Sequence, residues 1–466
     1  MFLKPKVGLF SIGLSAYWPQ FPKMKERLEK YNKTIEEKLS DYADVLNMGM
    51  VDSVEKSAAA GRSFAIANVQ LIFCHCATYS VSSNMLSAVQ EASCPVVLLN
   101  LQPVSALDCE KVTEIEQWLG TMTSGAVPEM AAVLIREGVL FDVITGMLYN
   151  DPQTDNELKE WCEAAKVKFV IKNSNIGLIG QPYEGMMDLY IDRTNLKSRM
   201  GIETVSIEFS ELADMDKNVL KTDIDTAANE ILELFEHKNV TKDQINGAAR
   251  VYVIIQKLVK KYGLQGISYH YAGKVLQELE DIVGTSNVAF SMLTTAGVPC
   301  CVEGDVKACI ASIILKVLSD SSVLSEIYSL DYSNDVTIFG HSGSGDAMIS
   351  EKSPTLKATE VFHGKTGKGF LTQFFVKEGP VTLLALTQDG DGRFLMVCAE
   401  GECVSGPVLK LGDTNSRIRF AIGMRNFVNE WSKLGPTHHC VMALGHHSKK
   451  LKKSAELLNC RFEKIC

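Results

Sequence analysis

Two apolar runs, Leu71-Ile72-Phe73-Cys74 and Pro95-Val96-Val97-Leu98-Leu99-Asn100, flank a segment of helical composition. Each run is short, continuous and without polar alternation. Such runs separated by helices are the pattern of parallel strands buried on both faces of a doubly wound sheet. Val7-Gly8-Leu9-Phe10-Ser11 reads as another strand of the same sheet, and the charged run from Lys23 to Leu46 as a covering helix. Ligands of such sheets bind beyond the carboxyl ends of the strands. His75, Thr78, Ser80, Asn100 and Gln102 fall at those ends.

Working outward, the pattern restarts near Lys168-Phe169-Val170-Ile171, read as a strand, followed by the Gly177–Asp188 loop. Glu203-Thr204-Val205-Ser206-Ile207, Val288-Ala289-Phe290 and Pro299-Cys300-Cys301-Val302 read as further strands, and Val306 to Leu318 as a helix. After about residue 330 the texture changes to short strands with glycine turns. Val336–Phe339, Phe370–Phe375, Val381–Leu386 and Arg393–Val397 are these strands, and Gln388-Asp389-Gly390-Asp391-Gly392 is a hairpin turn. The expected fold is α/β: two doubly wound Rossmann-like domains, 1–170 and 171–328, then a C-terminal antiparallel, barrel-like β domain, 329–466.

The 466 residues exceed what a single core usually serves, which agrees with several domains. A net charge of −9 argues against a nucleic-acid platform. No apolar run approaches the length of a membrane span, and the N-terminus reads as too short for a secretory signal. The thirteen cysteines are dispersed without a C-x-x-C pair, as expected of buried thiols in a reducing compartment. These features point to a cytoplasmic protein without nucleic-acid or membrane partners. Gly364-Lys365-Thr366, Gly340–Gly345 and Gly177–Gly185 each miss the spacing of a phosphate loop.

The chemistry-bearing residues gather late in the chain. Six of the nine histidines lie from His341 onward, four of them in Thr437-His438-His439-Cys440-Val441-Met442-Ala443-Leu444-Gly445-His446-His447. Imidazole is the commonest metal ligand. Glu303, in Val302-Glu303-Gly304-Asp305, follows a buried strand, and Asp331 follows another apolar run. Carboxylates at strand ends, completed by imidazole, suit a divalent cation. Glu303 equally suits the N-terminus of the helix that follows.

These segments resemble the L-fucose isomerase/L-arabinose isomerase superfamily, particularly its fucose-isomerase-like branch. Thr437–His446 is similar to the segment carrying the family's histidine ligand, which falls on His439. Glu303 and Asp331 resemble its two acidic ligands, and the Gly177–Asp188 loop resembles one opening its second domain. The resemblance implies a metal-dependent aldose–ketose isomerase acting on a pentose, hexose or deoxy sugar through a cis-enediolate. It implies Mn²⁺ or another divalent cation on Glu303, Asp331 and His439, with the two carboxylates also moving the proton. His438, His341 and His363 are implied sugar-binding residues, and His341 and His363 compete as a further ligand. A homo-oligomer such as a hexamer is also implied. Ser124-Gly125-Ala126 offers no match to the histidine that arabinose isomerases lend to a neighbouring subunit. The alternatives are a non-catalytic sugar-binding protein of this fold and a metal-dependent sugar epimerase or lyase.

Overall fold

The computed structural model describes residues 4–237, 240–270, 280–342, 344–362, 365–407 and 414–466. Residues 2–169 form one compact unit and residues 170–466 another. In the first, β1 (Lys6–Ile12), β2 (Asp44–Val51), β3 (Leu71–Cys76), β4 (Val96–Gln102) and β5 (Phe141–Met147) make a parallel sheet in the order β2-β1-β3-β4-β5. Every residue of β3 is buried, which is why its sequence shows no alternation. The polar residues at the strand ends are absorbed by the unit itself. Thr78 donates to the Leu119 carbonyl, Ser80 to that of Gly13, and Asn100 Oδ1 accepts from Thr123 and Ser124. His75 lies 3.0 Å from Ser11 Oγ, and burial lowers its pKa to about 3, so it is neutral.

The second unit opens with a four-stranded parallel sheet. It comprises β6 (Asn175–Ile179), β7 (Glu203–Ile207), β8 (Leu264–Tyr269) and β9 (Cys300–Val302), in the order β7-β6-β8-β9. Two expected strands are helical. Lys168–Ile171 ends the helix Pro152–Lys172, because buried Leu158, Trp161, Cys162 and Ala165 set a stripe at helical spacing. Val288–Phe290 lies inside the helix Glu280–Thr295, where Ser291 and Thr294 bond back to the carbonyls four residues earlier. Short apolar runs fit either geometry, and here the longer helical register decides.

The remaining described strands supply an antiparallel barrel and a separate hairpin. They are β10 (Val323–Asp331), β11 (Val336–Gly340), β12 (Thr355–Phe362), β13 (Lys365–Gln373), β14 (Gly379–Gln388), β15 (Phe394–Cys403), β16 (Thr414–Arg419), β17 (His439–Leu444) and β18 (Arg461–Lys464). The order β14-β17-β10-β11-β16-β15 returns to β14, with β18 added parallel to β15, while β12 and β13 pair as a separate hairpin. Closure leaves these six strands without a free edge. Val381, Leu383, Ala385, Val397, Ala399 and Met442 belong to its buried apolar cluster.

The helix Val306–Ser319 touches β8 and β9 of the parallel sheet and also β14 and β17 of the barrel. It is buried along nearly its whole length, which explains its all-round apolar sequence. Its two buried lysines are both satisfied. Lys316 pairs with Asp346 at 2.7 Å, and Lys307 donates to the carbonyls of Asp188 and Tyr190. An unpaired ammonium there would be costly.

Candidate metal and active site

Where β9 ends, Glu303 adopts φ +63° and Gly304 φ +73°. At Gly304 a Cβ would lie 2.5 Å from Pro182 Cα, so only glycine lets this turn press against the loop after β6. The loop is also tied to Glu303, whose carbonyl accepts from Tyr183 N–H at 2.9 Å. Asp305 then caps the helix Val306–Ser319, its Oδ1 accepting from Ala308 N–H at 2.9 Å. Its second oxygen lies 3.0 Å from His439 Nδ1, and both side chains are fully buried. A carboxylate on Nδ1 places the ring proton there and leaves Nε2 as a lone-pair donor.

The barrel register supplies the opposite wall. Glu326 of β10 stands directly across from His439 of β17 and, on its other side, from Gly340 of β11, with His341 next in the chain. Three neighbouring strands therefore present a carboxylate and two imidazoles together. His341 Nε2 is 3.1 Å from His439 Nε2 and 3.9 Å from Glu326 Oε1, while His439 Nε2 is 3.6 Å from Glu303 Oε2. His438 Nε2 is also 3.6 Å from Glu303 Oε2, and its Nδ1 is 2.7 Å from Asp188 Oδ2. Among the described residues, Glu303, His438 and His439 bring donor atoms within 4.8 Å of one another.

The donor set fits a divalent cation. Two carboxylates and two imidazoles suit a borderline ion such as Mn²⁺ or Zn²⁺. Ligands about 2.1 Å from such an ion stand about 3 Å apart when adjacent, close to the separation of the two Nε2 atoms. Glu303 Oε2 is buried and makes no hydrogen bond, a state that coordination would relieve. Burial raises the Glu303 pKa, but His438, His439 and His270 outweigh it and the net shift is downward. Glu326 moves the other way, its pKa raised chiefly by burial. Burial disfavours charge on His438, yet Glu303 and Asp188 overcome it and lift its pKa to about 9.

The sequence-predicted residues part company here. Glu303, His341, His438 and His439 are brought together. Asp331 lies at the far end of β10, five residues and so about 16 Å along the strand from Glu326. Its carboxylate binds Arg417 Nη2 at 2.7 Å and Asn334 Nδ2 at 2.8 Å, which lowers its pKa to about 2. That pair stabilises the fold above the ordinary carboxylate pKa, and the contribution fades as pH falls towards 2. Asp331→Asn is thus expected to lower the melting temperature at pH 6, with the gap to the parent closing by pH 2 in a thermal-melt series.

His363 lies outside the described residues. His446 and His447, beyond the other end of β17, bond to barrel groups, His447 Nε2 to the Leu444 carbonyl at 2.7 Å. Glu326, Asp305 and Asp188 are the residues that reading the chain missed. Asp305 carries a local signal, an Asp immediately before an apolar helix. Glu326 carries only a lone acid inside an apolar strand.

Residues 321–461 match the family model of the L-arabinose isomerase C-terminal domain. The chain is 20% identical over 301 residues to the sulfoquinovose isomerases of Priestia aryabhattai and Priestia megaterium (strain ATCC 12872 / QMB1551). These alignments span 63% of this chain and 65% of each relative, a little under two thirds of their length. The chain is thus similar in its C-terminal part to an L-arabinose isomerase domain and, at low identity, to sulfoquinovose isomerases. A periplasmic solute-binding protein of an ABC transporter from Actinobacillus succinogenes, solved with D-allose, aligns at 12% identity. That alignment covers 69% of this chain and 85% of the other at a TM-score of 0.14, too slight a likeness to carry a conclusion.

Proposed function

We propose that this protein is an aldose–ketose isomerase that works with a divalent cation held by Glu303, Glu326, His341 and His439. The observation that carries the reading is a run of close approaches, Glu326 to His341, His341 to His439 and His439 to Glu303, from β10, the end of β11, β17 and the turn after β9. When bound, such an ion supplies a Lewis acid that polarises a carbonyl and stabilises the charge of a sugar enediolate.

The chain's own groups supply the rest. Isomerisation needs one carboxylate to take a proton from carbon and an acid to return one to its neighbour. Glu303, held below the ordinary range by histidines, suits the base, and Glu326, raised by burial, suits the acid. Two carboxyls pushed in opposite directions are the usual sign of such a division of labour. His438, 35% exposed on its side chain, is the candidate to bind a sugar hydroxyl. A homo-oligomer belongs to the same reading, and light scattering on the purified protein tests it.

The relatives' name extends the candidate substrates from pentoses, hexoses and deoxy sugars to a sugar carrying a sulfonate. The test is a panel that includes L-arabinose, L-fucose and sulfoquinovose, assayed for ketose with Mn²⁺, with EDTA, and after Mn²⁺ is restored. Turnover is expected to vanish with EDTA and return with Mn²⁺, with solvent deuterium entering at C1 or C2. Turnover indifferent to EDTA would overturn the proposal. Metal-independent sugar binding without product would mark a binding protein instead.

A further inference from the structure

We infer that Asp188 is a positioning residue that aims His438 at the substrate side of the metal pocket, an inference that rests on the isomerase reading above. One oxygen, Asp188 Oδ2, accepts both from the His438 backbone N–H, at 3.0 Å, and from the ring through Nδ1, at 2.7 Å. Holding main chain and ring by the same atom fixes the direction of the imidazole. Its far nitrogen then stands 3.6 Å from Glu303 Oε2, and its ring lies 4.0 Å, centroid to centroid, from that of His439.

Asp188 is itself fastened. Buried Lys307 donates to the carbonyls of Asp188, at 2.5 Å, and Tyr190, at 3.0 Å. The same loop is tied to the Glu303 carbonyl through Tyr183 and lies flat against Gly304. Asp188, His438 and Glu303 are therefore three points of one braced triangle. Adjacent histidines thus each have their own aspartate: Asp305 holds the fully buried His439 with Nε2 towards Glu303 and His341, and Asp188 holds the half-open His438 with Nε2 towards Glu303. An imidazole braced in this way keeps its place while a substrate hydroxyl arrives, the preorganisation that efficient catalysis requires.

Asp188→Asn separates this role from a simple loop clasp. Its amide oxygen still accepts the backbone N–H, but a neutral amide holds the ring less firmly. With Mn²⁺ and the preferred sugar of the panel, kcat is expected to fall about 10–100-fold, as for other partners that orient site imidazoles. KM is expected to change less than kcat, and calorimetric Mn²⁺ affinity and melting temperature are expected to hold. His438→Asn should show a similar loss, and the double variant should be no worse than either single one, because both remove the same interaction. Losses that multiply, or a kcat equal to that of the parent, would overturn the role. A crystal structure of the Asp188→Asn protein reads the same point without any assay. The His438 ring is expected to turn away from Glu303 while Glu303 and His439 stay in place, and a ring left as it is would also overturn the role. If no sugar is turned over by the parent protein, the isomerase reading fails on its own, and the crystal structure still decides the positioning.

Discussion

Glu326→Gln is expected to lower kcat/KM by about 10³-fold, whereas Asp331→Asn is expected to leave it within about twofold. Glutamine keeps the shape of the side chain but cannot carry a proton and is a poorer metal donor. Glu326 sits in register with His439 and 3.9 Å from His341 Nε2, so the loss falls on both ligation and proton transfer. Its side chain is only 27% exposed, yet it has solvent on one side, so the neutral amide should leave the melting temperature nearly unchanged. Asp331 is occupied by Arg417 at the opposite end of the same strand. Steady-state kinetics of the two variants, with metal content measured in parallel, decides between them. Equal losses in both, or none in Glu326→Gln, would place the proton-carrying acid elsewhere.

Asp305→Ala is expected to weaken Mn²⁺ binding about 10–100-fold and to destabilise the fold by about 2–4 kcal/mol. Two tasks meet in this residue. Oδ1 caps the helix Val306–Ser319, and loss of such a cap costs about 1 kcal/mol. Oδ2 holds Nδ1 of a fully buried histidine, and leaving that N–H without an acceptor costs about 1–3 kcal/mol. Asp305→Asn separates the two, since the amide oxygen can serve the cap while the amide nitrogen faces His439 and favours the wrong tautomer. Calorimetric metal titration and denaturant melts should therefore show both defects in Asp305→Ala and mainly the metal defect in Asp305→Asn. Unchanged affinity in both would mean that His439 does not depend on Asp305 for its orientation.

The layers of the fold were legible because burial leaves a direct mark: β3 and β4 lie inside a sheet and read as unbroken apolar runs. Val288–Phe290 misled because a few buried residues look alike in a strand and in a helix. The site was legible where its residues are neighbours in sequence, as in Val302–Asp305 and Thr437–His439. It was not legible where barrel register makes the neighbours. Nothing local distinguishes Glu326 from a solvent-facing glutamate; its meaning comes from the strand opposite, far away in the chain. Asp331 attracted attention as an acid after an apolar run. Yet Asp331-Tyr332-Ser333-Asn334 is a turn sequence, and its carboxylate accepts from the backbone of Ser333 and Asn334 as turn aspartates do.

Glu303 holds its carboxylate from a left-handed backbone, a conformation that costs a side chain with a Cβ about 1 kcal/mol and that glycine or asparagine adopts with little penalty. Robustness and chemistry therefore pull position 303 in opposite directions. A screen for heat resistance alone would drift towards Gly or Asn there and return a sturdier protein without the carboxylate that the proposed chemistry needs. Engineering this scaffold for harsher conditions would have to leave that residue untouched and look for its gains in other parts of the molecule.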